Sequence, residues 1–405
     1  MKRNSKRSNA MPLLASVLMI FMLFGACLKS NNNDILPEKE EIVITLSLKL
    51  PTVSRGLKTY ALSDDEETKL KDIDVLVFTD DGTGTKFSYR TVGKIINQSS
   101  AGNGGGNVDI EVKMWRTQID SRLVVIANAR TQLNAYPFVA GELLEVFQEN
   151  LVYQLEAGER WLANLDGATD NYIPLPMWAE HTVTGGINDD TIILPGSINL
   201  LRSVVRVDVM ADAVASDFTL DWIHVYNSNR NGLIIPGSDP TTPSLPSDLL
   251  TNENNILHYD VTFGNKLEGA IYLFEAAAGI GDGDPADPYA TALVIEGHYN
   301  ANPSTTYFYR IDFKDASNNL VPLLRNHRYV INITGATEMG TALEDRDNAF
   351  AAPSLNQFWY DRSQGIKPVQ SRGYSHQSPS TIYLDIVPED RGCVIYTITT
   401  VNENE

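Results

Sequence analysis

Cysteine is almost absent: two occur in 405 residues, Cys27 and Cys393. With Cys27 committed to a lipid, as argued below, Cys393 has no partner in the chain, so no disulfide framework carries the fold. Metal-ligand spacing is missing as well. The six histidines (His181, His224, His258, His298, His327, His376) show neither i, i+4 pairing nor the short paired spacing of a zinc site. Ser375, in Gly-Tyr-Ser-His-Gln, lacks the second glycine of a nucleophile elbow. The glycines at 102–106 have no following Gly-Lys-Ser/Thr, so they read as a hairpin loop and not as a phosphate cradle. The Gly/Asp run at 281–287 lacks the long loop and terminal glutamate of a calcium hand and reads as a solvated turn. No catalytic residue, metal ligand or cofactor is expected, and the chain reads as a non-enzyme. Positive charge is also short: the net charge of −19 argues against nucleic acid and anionic headgroups as partners. The longest apolar run, Leu13–Ala26, falls short of the roughly 20 residues of a membrane-spanning helix.

What that run does fit is an export signal. Lys2, Arg3, Lys6 and Arg7 precede it, and Phe24-Gly25-Ala26-Cys27 closes it. A basic start, a short apolar stretch and small residues before the cut describe a secretory signal peptide over 1–27. A cysteine straight after Gly-Ala resembles the bacterial lipobox, in which the thiol is acylated, with Phe24 standing where Leu, Val or Ile is usual. The competing reading is an ordinary signal peptide with an incidental cysteine. Residues 28–41, containing Ser30-Asn31-Asn32-Asn33-Asp34, then form a polar tether with nothing to bury.

Beyond the tether the pattern has period two. Ile42, Ile44, Leu46, Leu48 and Leu50 alternate with Val43, Thr45, Ser47 and Lys49, which predicts a strand with one buried face ending at Pro51. Further strands are predicted at Asp74–Phe78, Ser121–Ala127, Thr191–Leu194, Ile198–Met210, Phe218–Tyr226 and Ile271–Phe274. Others follow at Ala292–Tyr299, Tyr307–Phe313, Tyr329–Thr334, Ile382–Val387 and Val394–Val401. One helix is predicted, Gly141–Leu155, on the three- and four-residue spacing of Leu144, Phe147 and Leu151. The fold class expected is all-β with few helices: two tandem antiparallel Greek-key β-sandwiches over 42–203 and 204–405. The break is expected near Ser203, inside the long Ile198–Met210 run, and 341–377 reads as an irregular crossing segment.

Strand-like patterns stand at both ends. The first, 42–50, is followed by a loop, Thr52–Lys58, containing Arg55 and Gly56. Removing a strand from a sandwich opens a groove and two unpaired edges that something must fill. The tail offers alternation at Ile382, Leu384 and Ile386, then at Val394, Tyr396 and Ile398. Either both end strands complete their own domains, or a tail strand enters another copy's groove. Periodicity alone leaves both open.

Seven stretches in order bear on this choice: Ile73–Gly82, Leu123–Ala129, Leu175–Trp178, Leu201–Val209, Ile271–Glu275, Tyr309–Phe313 and Leu324–Ile333. Together they resemble the Bacteroidales fimbrillin family, the subunits of type V pili. The resemblance implies transthyretin-like sandwiches and a lipoprotein (palmitate on Cys27) of the outer membrane and cell surface. It implies partners in the form of other fimbrial subunits and an arginine-specific surface protease. That protease would cut between Arg55 and Gly56 and so remove the strand carrying Ile42, Ile44, Leu46, Leu48 and Leu50, in a removable segment 42–55. Polymerisation by strand exchange would then use the C-terminal strands within 381–401, with Val394, Tyr396 and Ile398 on the candidate donor strand, in support of adhesion. Two rivals remain at this stage: a non-polymerising anchor lipoprotein of the same system, and a glycan-binding surface lipoprotein with a tyrosine platform (Tyr226, Tyr259, Tyr272, Tyr299, Tyr307, Tyr309).

Overall fold

The first strand among the described residues is β1 (Glu41–Lys49), whose side chains alternate between solvent and core as the sequence pattern requires. The structure is a computed structural model. It describes residues 40–51, 67–98, 106–161, 173–189, 198–211, 216–237, 239, 241–252, 254–262, 264–279, 290–314, 320–333, 346–351, 381–388 and 394–401. Four strands follow β1: β2 (Ile73–Asp80), β3 (Thr85–Gln98), β4 (Asn107–Trp115) and β5 (Ser121–Ala127). Two short helices, α1 (Arg130–Ala135) and α2 (Leu144–Asn150), lead into β6 (Val152–Gln154) and β7 (Met177–Val183). Then come β8 (Ile198–Asn199), β9 (Leu201–Arg202) and β10 (Val205–Met210).

Seven of these strands and β1 form an eight-stranded sheet ordered β8-β1-β4-β3-β2-β5-β7-β9. Its two outermost strands are consecutive pieces of chain, separated only by Leu200. The sheet therefore curls until its ends meet, close to a barrel, around a core that includes Ile44, Leu46, Leu48, Val75, Val77, Ile110, Val125 and Phe147.

The rest of the chain supplies β11 (Phe218–Tyr226), β12 (Asn231–Leu233), β13 (Leu257–Asp260), β14 (Lys266–Leu273), β15 (Ala292–Tyr299), β16 (Asn302–Asp312) and β17 (Arg328–Ile333). A third helix, α3 (Arg346–Ala351), and the tail strands β18 (Thr381–Pro388) and β19 (Val394–Val401) complete it. One sheet runs β14-β10-β17-β18-β19, another β13-β11-β15-β16, and β12 pairs with β6. The first two enclose a second core, with Val205, Val207, Ile271, Tyr329 and Ile331 from one sheet and Leu220, Ile223, Leu293, Ile295 and Ile311 from the other. The molecule is thus mostly β with few helices, built from several sheets. Val204 belongs to the first core and Val205 to the second, two residues past Ser203.

Three sequence expectations need correction. The run Ile198–Met210, read as the last strand of one sandwich passing near Ser203 into the first strand of the next, is divided once more, at Leu200: β8 lies beside β1, β9 beside β7, and β10 between β14 and β17. The helix expected over Gly141–Leu155 is confined to Leu144–Asn150. Its apolar spacing was real, since Leu144, Phe147 and Leu151 are buried. Leu151, however, turns extended (φ −82°, ψ 97°), and Val152–Gln154 is drawn into a ladder with Asn231–Leu233. The segment 341–377 is not wholly irregular, since α3 lies within it. The expected strand Thr191–Leu194, and Ser375, His376 and Cys393, lie outside the described residues.

Candidate functional site

The site is the slot that β1 fills. Along its full length β1 is antiparallel to β4, from Glu41 opposite Trp115 to Lys49 opposite Asn107. On its other side, among the described residues, it pairs with the two residues of β8, in parallel, with Leu48 beside Ile198. Ile44, Leu46, Leu48 and Leu50 are each at most 2% exposed, Ile42 packs partly buried against the same core, and Val43 and Lys49 face solvent. Burying four such side chains stabilises the strand's seat by roughly 6–12 kcal/mol, an upper estimate. On the outer face an exposed Lys113–Glu41 ion pair at 2.8 Å is worth little in water. The strand is held by apolar burial and by one ladder. Such a seat suits any extended segment with the same alternation.

Among the expected site residues, Ile42, Ile44, Leu46, Leu48 and Leu50 therefore share one buried face. Cys27, Arg55 and Gly56 lie outside the described residues. Val394, Tyr396 and Ile398 stand at alternate positions of β19, opposite Pro388, Ile386 and Leu384 of β18. Because β18 runs parallel to β17 and β19 is the outer edge of its sheet, the tail and β1 belong to different sheets.

The strands also bring together groups that no sequence spacing displayed. His224 and His258 face each other across β11 and β13, their Nδ1 atoms 2.8 Å apart, while His224 Nε2 lies 2.7 Å from Glu296. Only one hydrogen fits between the two Nδ1 atoms, so the pair favours neutral rings. Burial, with His258 and Arg346 nearby, pushes His224 down to about 3. Among the described residues no group of three or more His, Cys, Asp or Glu is placed to hold a metal ion. Beside this pair α3 is clamped to the sheet. Tyr226 donates to Asp347 Oδ1 at 2.6 Å, and its ring stacks on Phe350 with centroids 4.2 Å apart. Arg310 donates to the Phe350 carbonyl and lies over its ring. The six tyrosines considered as a sugar platform are all buried, so they offer no exposed ring face.

A second cluster is deeper. Glu67 accepts hydrogen bonds from Arg206 Nη1 and the Tyr272 hydroxyl, each at 2.6 Å, and from Arg202 Nη2 at 3.3 Å. Arg206 also donates to Asp208, which is shared with Arg328. Burial works against the Arg206 guanidinium, but Asp208 and Glu67 outweigh it and hold it charged. Burial and the neighbouring Glu67 raise the Tyr272 hydroxyl well above its usual range, so it stays a donor. Only Arg202 and Arg206, standing inside an apolar run, hinted at this cluster in the sequence.

No family model matches the chain. The tip fimbrial protein Mfa3 of Porphyromonas gingivalis, with C-terminal truncation, is 15% identical, covers 89% of this chain and all of its own, and superimposes with a TM-score of 0.46. A fimbrial assembly protein from Parabacteroides distasonis is 13% identical over 73% of this chain and 92% of its own, with a TM-score of 0.43. In sequence, the major fimbrium tip subunit FimE of Porphyromonas gingivalis is 22% identical over 287 residues, which is 65% of this chain and 50% of that protein. The match thus spans about half the length of the curated relatives. With the ordered motifs of the sequence, it makes the chain a distant relative of the Bacteroidales type V fimbrial proteins.

Proposed function

We propose that this chain is the precursor of a cell-surface fimbrial subunit, exported as a lipoprotein on Cys27 and polymerised by strand exchange once β1 is cut away. In this reading the mature chain is two tandem transthyretin-like sandwiches, 42–203 and 204–405, joined near Ser203. An arginine-specific surface protease cuts between Arg55 and Gly56, β1 leaves, and an alternating tail strand carrying Val394, Tyr396 and Ile398 from a neighbouring subunit takes its seat. The curated relatives are tip subunits, which favours a tip or accessory position over a shaft. The observation that carries the proposal is the seat itself. One end strand is bound by four buried aliphatic side chains and a single full ladder, and a tail of the same alternation forms the edge of another sheet. While tethered, β1 has an effective concentration no free strand matches, so the uncut chain stays monomeric.

The test is Arg55→Ala in the exported protein. The wild type should acquire a new terminus at Gly56 and form ladders on mild-denaturant gels, whereas the variant should remain a lipid-bearing monomer. Ladders from Arg55→Ala protein would overturn strand removal as the trigger.

A further inference from the structure

Strand removal poses a mechanical problem: what stops the rest of the N-terminal chain from peeling out with β1? We infer that Glu67–Asp72 is the anchor that holds the processed chain in place, with the Glu67 carboxylate as its buried plug. The inference rests on the strand removal proposed above.

Glu67 lies between β1 and β2 in the chain, 1% exposed, and three of its partners are distant in sequence. Arg202, Arg206 and Tyr272 come from β9, β10 and β14, and their side chains converge on its two oxygens. Through Arg206 the plug joins a buried series of alternating charges, Arg206–Asp208–Arg328–Glu268. Such a series is stable only while each charge keeps its neighbour. Withdrawing Glu67 would take a carboxylate away from two buried guanidinium groups at once.

A second set of contacts fixes the following residues independently. Asn128 accepts from the Lys71 amide through Oδ1 at 2.8 Å and donates through Nδ2 to the carbonyls of Lys69 and Leu175, both at 2.8 Å. Its own amide donates to the Asp72 carbonyl at 3.0 Å. To reach all four it sits in the left-handed region, φ 62°, which asparagine tolerates better than most residues. Leu70 meanwhile enters the first core.

The decisive relationship is that, Leu70 in the shared first core apart, the hydrogen bonds that hold this anchor among the described residues are not made to β1. The strand's ladder partners are β4 and β8, while the anchor's are β9, β10, β14 and the residues that flank β5 and β7. Loss of β1 therefore leaves the bonds of Glu67 to Arg202, Arg206 and Tyr272 and those of Asn128 to Lys69, Lys71 and Leu175 in place, and the released chain ends at a fixed point ahead of β2. Glu67 is a positioning residue in this scheme, acting on where separation stops.

The experiment processes the full exported chain with an arginine-specific protease, then probes it with a lysine-specific one while following amide hydrogen exchange. In the wild type, the amides of Leu70 and Lys71 should keep their protection after strand removal, and Lys69 and Lys71 should resist cutting. Glu67→Gln should raise cutting at these two lysines at least tenfold while β5 amides stay protected. Wild-type protection lost on strand removal, or wild-type cutting rates in a folded Glu67→Gln protein, would overturn the anchor. If Glu67→Gln loses β5 protection as well, Tyr272→Phe, which removes one donor to Glu67, decides in its place. It should raise cutting at Lys69 and Lys71 several-fold, and an unchanged rate overturns the inference. An uncut Thr52–Lys58 loop in the wild type would sink strand removal instead. The anchor is then still decided in the uncut chain by the same comparison at Lys69 and Lys71.

Discussion

Leu48 of the first strand lies in parallel register with Ile198, and among the described residues it and Lys49 are the two of β1 with a ladder partner on that side. The remaining length of that edge has no ladder to β8, so the strand's hold depends on its inner side chains. Leu46→Ala, at a fully buried position, should destabilise the uncut chain by about 2–5 kcal/mol. Because the lost contacts belong to the strand that leaves, the same change should speed release of β1 after cutting. Denaturant unfolding of the uncut chain checks the first effect and ladder formation in the cut chain the second. Slower ladders from the variant would contradict the seat argument.

The second half depends on a close approach. A Cβ on Gly297 would come within 2.3 Å of both the Phe218 ring and the Thr219 carbonyl oxygen. The second contact is backbone and does not rotate away. Gly297→Ala should therefore cost about 1–3 kcal/mol by overpacking, read as a lower unfolding midpoint with an unchanged denaturant slope.

Acid should loosen the outer face of the β13-β11-β15-β16 sheet. His224 is held near 3 in the folded chain, against about 6.5 when unfolded. Between those values the unfolded chain carries a proton that the folded one refuses, so this stability is present above pH 6.5 and is lost as the pH falls toward 3. The slope from one such group is at most about 1.4 kcal/mol per pH unit. Glu296, raised first by burial and then by Asp221, works in the opposite sense and trims it. On the acid side Asp347, lowered by its bond from Tyr226, adds a loss below about pH 4. His224→Gln should flatten the curve between pH 4 and 6.5. Unfolding at several pH values measures it, and an unchanged slope would remove His224 from the account.

How legible was this in the sequence? The strands at Ser121–Ala127, Phe218–Tyr226 and Ala292–Tyr299 fall at the bounds read from alternation and apolar runs. The buried face of β1 was read residue by residue. β4 was missed although Val108, Ile110, Val112 and Met114 alternate as cleanly, and β3 because its outward residues mask the pattern with polar and exposed apolar side chains. What local patterns cannot contain is register. His224 meets His258 only because β11 and β13 pair at that offset, and Glu67 meets Arg206 across 139 positions. Glu67 is the last of four consecutive acids, Asp64 to Glu67, and a run of like charge reads as a solvated surface, so nothing marked it before the strands around it were in place.

The tail supplies the remaining prediction. In the order β14-β10-β17-β18-β19 the two tail strands are the outer pair, and β17 keeps its parallel ladder to β10 without them. α3, which precedes the tail, is fixed separately by Tyr226 and Arg310. Deleting 381–405 should therefore leave a folded monomer with β17 as an edge strand, which circular dichroism and a cooperative unfolding transition would show. Such a chain still has a seat once β1 is cut, but it has no strand to give. Added to cut full-length protein, it should enter ladders and shorten them in proportion to its share of the mixture, and alone it should form none. An insoluble or unfolded truncation would instead mean that β18 and β19 complete their own domain. Ladders from the truncated chain alone would mean that the donor lies elsewhere in the sequence.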